Sequence, residues 1–139
     1  AFLTDEVETT EDALKGAYIL KDSENPDVLL MATGSEVQLI NEAYTILKEK
    51  GINARVVSMP SWEVFEKQSE EYKNSVLPKN ITKRVAVEAA SSFGWHKYTG
   101  LEGKVISIDT FGASGPAEIL FEKFGFTVDN VVKTVESIM

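Results

Sequence analysis

The chain has 139 residues, 43% of them hydrophobic and 26% charged, and its formal net charge is −8 at neutral pH. This length suits one domain with a buried core, and the acidic balance disfavours nucleic acid and anionic membranes as partners. The absence of cysteine excludes disulfides, cysteine–zinc sites and thiol catalysis, and it fits a cytoplasmic protein. No apolar run reaches the roughly 20 residues that a membrane-spanning helix needs.

The first part of the chain is predicted to be a linker that leads in from a preceding domain. Residues 1–14 contain the acidic stretch TDEVETTED, which has little apolar content, and the chain begins with Ala1 rather than methionine. The domain proper is predicted to span 15–139. Its first two strands are predicted at 17–21 and 27–33, and so short a connection permits an antiparallel hairpin but no parallel crossover.

A helical crossover is predicted next. Gly34 ends the second strand, and Ser35 with Gln38 forms the pattern of a capping box at the start of a helix. Gly51 is typical of a helix C-terminus, and a third strand is predicted at 52–58. Because a helix joins these strands, they should lie parallel.

The second half of the chain continues the alternation of strands and helices. Helices are predicted at 62–68 and 70–76, strands at 84–88 and 105–109, a helical turn around 93–98, and two closing helices that begin at Pro116 and after a Thr127 cap. The order predicts a three-layer α/β/α sandwich around a five-stranded, mostly parallel sheet in which 17–21 is an antiparallel edge strand.

The carboxyl ends of the predicted strands are the first place to look for a ligand. They are rich in glycine and small polar residues, which makes a weak candidate for an anion-binding crevice: Gly34, Ser35, Ser61, Ser91 and Asp109. The simpler interpretation, which we favour, is that these residues cap helices and turn the chain. Neither GxGxxG nor GxxxxGK[ST] occurs in the sequence.

Catalytic and metal-binding residues are sparse. His96 is the only histidine, and without a cysteine or a GxSxG motif it is not expected to be a general base. The acidic residues near the N-terminus lack calcium-loop spacing and are expected to be a solvated arm: Asp5, Glu6, Glu8, Glu11 and Asp12. We therefore assign no catalytic, cofactor-binding or metal-binding residue.

Aromatic residues cluster at the predicted strand ends. Phe93, Trp95 and Phe111, with the loop 110–116, are candidates for an interface with another domain or subunit, because exposed aromatics regain burial there. The alternative is that these rings fold inward and fill their own domain. The residue pattern does not separate the two.

The sequence resembles the C-terminal domain of transketolases. The motifs that carry the resemblance run in order from about Lys15 onward: KGAYIL, ATGSEV, RVVSMPSWEVF, RVAVEAAS, FGWHKY and IDTFGAS. Short pieces such as ATGSEV are shared with relatives, whereas SMPSWE, FGWHKY and DTFGAS together are specific to the family.

The resemblance implies an enzyme that moves two-carbon ketol units between sugar phosphates with thiamine diphosphate and a divalent metal, Mg²⁺ or Ca²⁺. It also implies a homodimer with the cofactor held by the first two domains. No family cofactor motif occurs in this chain, so the domain itself is expected to be structural, dimer-supporting and inactive alone. The alternatives are a regulatory module that binds a small molecule or anion, or the same domain of deoxyxylulose phosphate synthase or of a 2-oxoacid dehydrogenase β-subunit.

Overall fold

The computed structural model of the chain describes residues 14–89, 94–107 and 126–139, apart from the side chain of Ser35. The strands are β1 (Tyr18–Lys21), β2 (Val28–Ala32), β3 (Ala54–Ser58), β4 (Arg84–Glu88) and β5 (Lys104–Ser107). The helices are α1 (Val37–Glu49), α2 (Trp62–Glu66), α3 (Glu70–Val76), α4 (His96–Thr99) and α5 (Val128–Ile138), and a 3₁₀ turn at Gly34–Glu36 precedes α1. Within these residues no helix is both long and apolar enough to cross a membrane.

The five strands form one sheet in the order β1-β3-β2-β4-β5. Leu30 of β2 is opposite Val56 on one side and Val85 on the other, and the β3-β2-β4-β5 run is parallel. Strand β1 is antiparallel and lies at the edge. The predicted fold class, a mostly parallel five-stranded sheet with one antiparallel edge strand, is confirmed.

The hairpin that the short connection between the first two strands permits is not formed. Strand β1 pairs with β3, with Tyr18 opposite Ser58, and not with β2, its neighbour in sequence. The reason is that β2 is the central strand, with all five residues buried and β3 and β4 occupying both of its edges. No backbone donors of β2 remain for β1, so the connection 22–27 passes over the end of β3 to reach the sheet edge.

Alternate residues of the sheet supply two separate cores. Val28 and Leu30 point toward α1 and α5, where they pack with Ile40, Leu47, Val131 and Val135. Leu29 and Met31 point the other way and pack with Phe65, Val76 and Trp95 from α2, α3 and the approach to α4. Each such side chain contributes about 1.5–3 kcal/mol by leaving water, so both layers of helices are held by apolar burial.

The predicted helix starts after Ser61 and Thr127 are confirmed, because each of these residues caps its helix with its own side chain. The Ser61 Oγ accepts a hydrogen bond from the Val64 amide at 3.3 Å, and Thr127 Oγ1 accepts one from the Asn130 amide at 3.2 Å. The predicted capping box at Ser35 is wrong, because α1 begins after a 3₁₀ turn and its N-cap is Glu36, with no side-chain cap. The predicted helix from Pro116, the arm 1–13 and the last two residues of the strand 105–109 lie outside the described residues.

Candidate functional site

The carboxyl edge of the sheet carries two glutamates that bind neighbouring segments of the chain. At the end of β4, Glu88 Oε1 accepts hydrogen bonds from Thr33 Oγ1 at 3.0 Å and from Trp95 Nε1 at 3.2 Å. Glu36 is only 7% exposed, and its Oε1 accepts a hydrogen bond from the Ala89 amide at 2.9 Å. These carboxylates therefore tie together the chain segments that follow β2 and β4, which is a structural task.

The predicted anion crevice is only partly visible at this edge. Gly34 lies in the 3₁₀ turn with φ of +58°, and the Ser61 hydroxyl caps α2. The side chain of Ser35 and the whole of Ser91 and Asp109 lie outside the described residues. The described members thus serve the turn and the helix cap, as the simpler interpretation of the sequence proposed, and the crevice as a ligand site stays untested.

An aromatic cluster connects α2 with α4 beside this edge. The rings of Trp62 and Trp95 meet edge to face with centroids 4.8 Å apart, and Tyr98 lies 5.5 Å from Trp62 and 6.3 Å from Trp95. Gly94 has φ of +85°, and a Cβ there would lie 2.6 Å from the Trp62 ring. The chain can therefore pass over Trp62 only with glycine at this position.

The expectation that Trp95 belongs to an exposed interface is wrong. Its side chain is 0% exposed within the single chain, where it packs on Trp62 and Tyr98 and donates to Glu88. The indole fills the core on this side of the sheet, so none of its own surface is left for a partner to contact. Phe93, Phe111 and the loop 110–116 lie outside the described residues, and their role as interface candidates stays a prediction.

His96 is the exposed first residue of α4, and no described side chain accepts or donates a hydrogen bond to its ring. That it is not a general base remains a prediction.

In the described part of the chain, no three histidine, aspartate or glutamate side chains come together in a way that could hold a metal ion. These residues therefore do not fit the divalent metal site that the resemblance implies for the whole enzyme.

A second polar region lies on the same side of the sheet and is centred on Glu66. Its Oε2 accepts a hydrogen bond from the Tyr98 hydroxyl at 2.7 Å and lies 3.3 Å from Lys97 Nζ, while its Oε1 lies 3.5 Å from Lys73 Nζ. The Tyr98 hydrogen bond, with the two lysines, holds the pKa of the Glu66 carboxyl below its usual range. Burial of the phenol, together with the Glu66 charge, raises the pKa of Tyr98.

Arg84 borders this region at the amino end of β4. Its guanidinium donates to the carbonyls of Ile81 at 2.8 Å, Tyr98 at 2.7 Å, Pro78 at 2.8 Å and Leu77 at 3.4 Å. Burial lowers the pKa of the Arg84 guanidinium, which nevertheless stays protonated at neutral pH. The role of Arg84 was not predicted, because an arginine at the start of a strand does not by itself show which carbonyls it will bind.

Comparison with known proteins gives a consistent set of similarities. A family model described as the transketolase-like TK C-terminal domain matches residues 16–127. A transketolase of Staphylococcus aureus (strain MW2) is 55% identical over 129 residues, a match that covers 92% of this chain and 20% of that protein. The chain therefore spans about a fifth of the length of such curated relatives.

Solved structures agree with the sequence relatives. Transketolase from Leishmania mexicana superposes with a TM-score of 0.84 and 39% identity over 94% of this chain and 19% of that one. A split-gene transketolase, solved as an inactive β4 tetramer, superposes with a TM-score of 0.64 and 25% identity over 90% of this chain and 42% of that one.

Proposed function

Because this chain belongs to the family of transketolase-like C-terminal domains, we propose that it is the last domain of a transketolase subunit. The whole enzyme would transfer two-carbon ketol units between sugar phosphates, with thiamine diphosphate and Mg²⁺ or Ca²⁺ bound by its other domains. The relatives described above are transketolases, and they lend no support to deoxyxylulose phosphate synthase or a 2-oxoacid dehydrogenase β-subunit as the parent. A cytoplasmic location is part of the proposal and is supported by the absence of cysteine.

The domain's own role in this proposal is structural. The observation that carries it is the carboxyl edge, where Glu36 and Glu88 bind the Ala89 amide, Thr33 and Trp95. Parallel sheets normally offer this edge to ligands. Here its described polar groups connect the strand ends to one another, so the edge is built for rigidity and for packing.

The proposed partners are the other domains of the same subunit and a second identical subunit. Phe93, Phe111 and the loop 110–116 are the proposed contact residues. Substituting serine for Phe93 and Phe111 in the full-length enzyme should weaken the dimer in sedimentation velocity. An unchanged dimer at nanomolar protein would remove these residues from the interface.

The split-gene transketolase that this chain resembles was solved as an inactive β4 tetramer, and this supports the expectation that the chain alone has no activity. We expect the 139-residue chain to show neither transketolase activity nor thiamine diphosphate binding by calorimetry, with the full-length parent as the positive control. Micromolar binding of the cofactor to the isolated chain would contradict the proposal.

A further inference from the structure

A cleft at the amino edge of the sheet, opposite the edge described above, is lined by an unusual number of positive side chains for so acidic a chain. It has a volume of about 370 Å³, and Lys79, Arg84 and Lys97 line it together with Tyr98 and Glu102. An adjoining cleft of about 230 Å³ shares these three cations and Tyr98. The combined space falls in the range typical of sites for small molecules.

The charge of Arg84 is fixed in place without being neutralised. Its donors bind four main-chain carbonyls, as described above, and no described carboxylate forms an ion pair with it. Carbonyl dipoles orient the guanidinium but leave its full positive charge. The wall of the cleft therefore carries a permanent positive field that does not depend on a mobile side chain.

The carboxylates that line the two clefts already have lysine partners. Glu66 is 3.3 Å from Lys97, Glu70 is 3.0 Å from Lys73, and Glu102 is 2.9 Å from Lys83. In the described part of the chain the Lys79 ammonium has no ion-pair partner. Among the residues that line the two clefts and their ion-pair partners, the positive charges of Lys79 and Arg84 are thus in excess, in a chain whose net charge is −8.

We propose that this cleft binds the phosphate group of a small phosphorylated molecule. A phosphate monoester carries about −1.5 to −2 charges at neutral pH, which matches the local excess of positive charge. The exposed ammonium groups of Lys79 and Lys97 can move to meet its oxygens, and lysine binds phosphate well as a point charge. The site lies at the amino edge of the sheet and is independent of the activity proposed above.

The test is a titration of the 139-residue chain followed by amide chemical shifts. Inorganic phosphate and glycerol phosphate are added in parallel, and sodium chloride at matched ionic strength is the reference. We expect saturable shifts confined to residues 79–84 and 97–102, with millimolar affinity. Tighter binding of glycerol phosphate would support a phosphorylated molecule as the ligand, and equal or weaker binding would overturn that assignment in favour of free phosphate.

Variants separate a built site from general charge attraction. The double substitution Lys79→Gln and Lys97→Gln should weaken phosphate binding at least fivefold. The matched control, Lys48→Gln with Lys133→Gln on the opposite helical layer, removes the same charge and should change the affinity less than twofold. Shifts that do not saturate, that chloride reproduces, or that the two double variants lose equally would overturn the proposal.

Discussion

The two arginines of the chain hold the same stretch of backbone in different electrostatic surroundings. Four consecutive carbonyls, those of 75–78, close the C-terminal end of α3. The first two accept hydrogen bonds from Arg55 of β3 at 2.8 and 3.1 Å, and the last two accept from Arg84 of β4 at 3.4 and 2.8 Å. The sheet thus anchors this helix end through both arginines.

The difference lies in the counterion. Arg55 also forms a bidentate pair with Asp22, at 2.9 and 3.2 Å, whereas Arg84 takes two further carbonyls, from Ile81 and Tyr98. Main-chain carbonyls are sufficient to orient an arginine, but only a carboxylate cancels its charge. Arg55 therefore anchors the helix end with its charge cancelled by Asp22. Arg84 anchors the same helix end and still presents positive charge to the cleft beside it.

The largest effect is expected from Arg84→Leu. The substitution leaves four carbonyls without their donor, and we expect a loss of roughly 3 kcal/mol in the free energy of unfolding, measured by urea denaturation. Lys133→Gln breaks an exposed i,i+4 pair with Asp129 and should cost under about 0.5 kcal/mol. A loss below about 1 kcal/mol for Arg84→Leu would mean that water replaces the guanidinium without cost.

A smaller loss is expected from Asp22→Asn. The Arg55 side chain, 12% exposed, would keep its carbonyl partners and one amide oxygen but lose its counterion. We expect a loss of about 1.5 kcal/mol in the same urea experiment. If this variant lost as much stability as Arg84→Leu, the counterion would matter as much as the backbone contacts, and the comparison of the two arginines would fail.

The smallest effect is the pH dependence of the free energy of unfolding that Glu66, in the polar region next to Arg84, should cause. Because the pKa of Glu66 is lowered in the folded chain, its contribution to stability is present above the unfolded pKa and is lost as pH falls through the folded pKa. Between about pH 5 and about pH 3, the wild type should lose up to about 1 kcal/mol more than Glu66→Gln, since the network is partly exposed. Urea midpoints at several pH values measure the difference.

Tyr98→Phe is the matched variant for this experiment, because the tyrosine hydroxyl is the main cause of the lowered pKa. It should reduce the acid-dependent loss as Glu66→Gln does. Parallel pH profiles for the wild type and both variants would show that the Glu66 carboxylate is not stabilised by folding.

Much of the fold could be predicted because its signals are local. The buried strands β2 and β4 are short apolar runs in the sequence. Ser61 and Thr127 are typical N-cap residues, and they cap α2 and α5 respectively. The partner of β1 could not be predicted in this way. It depends on β3 and β4 taking both edges of β2, which is a property of the whole sheet.

The candidate sites were harder to predict for the same reason. The sequence placed Trp95 near a strand end but could not show that Trp62, more than thirty positions earlier in the chain, would cover it. Arg84 acquires its role from carbonyls on α4 and on the segment that connects α3 with β4. One local signal was available, since Lys79, Lys83 and Arg84 form a basic segment in an acidic chain.

The edge-to-face contact of Trp62 and Trp95 has a spectroscopic consequence. These are the only two tryptophans of the chain, and their rings lie 4.8 Å apart, so one small region dominates the intrinsic fluorescence. Tryptophan emission therefore reports on the junction of α2 with α4 and does not report on the layer of α1 and α5. Followed together during unfolding, fluorescence will report on this side of the sheet alone, whereas far-ultraviolet circular dichroism will report on the helices of both sides.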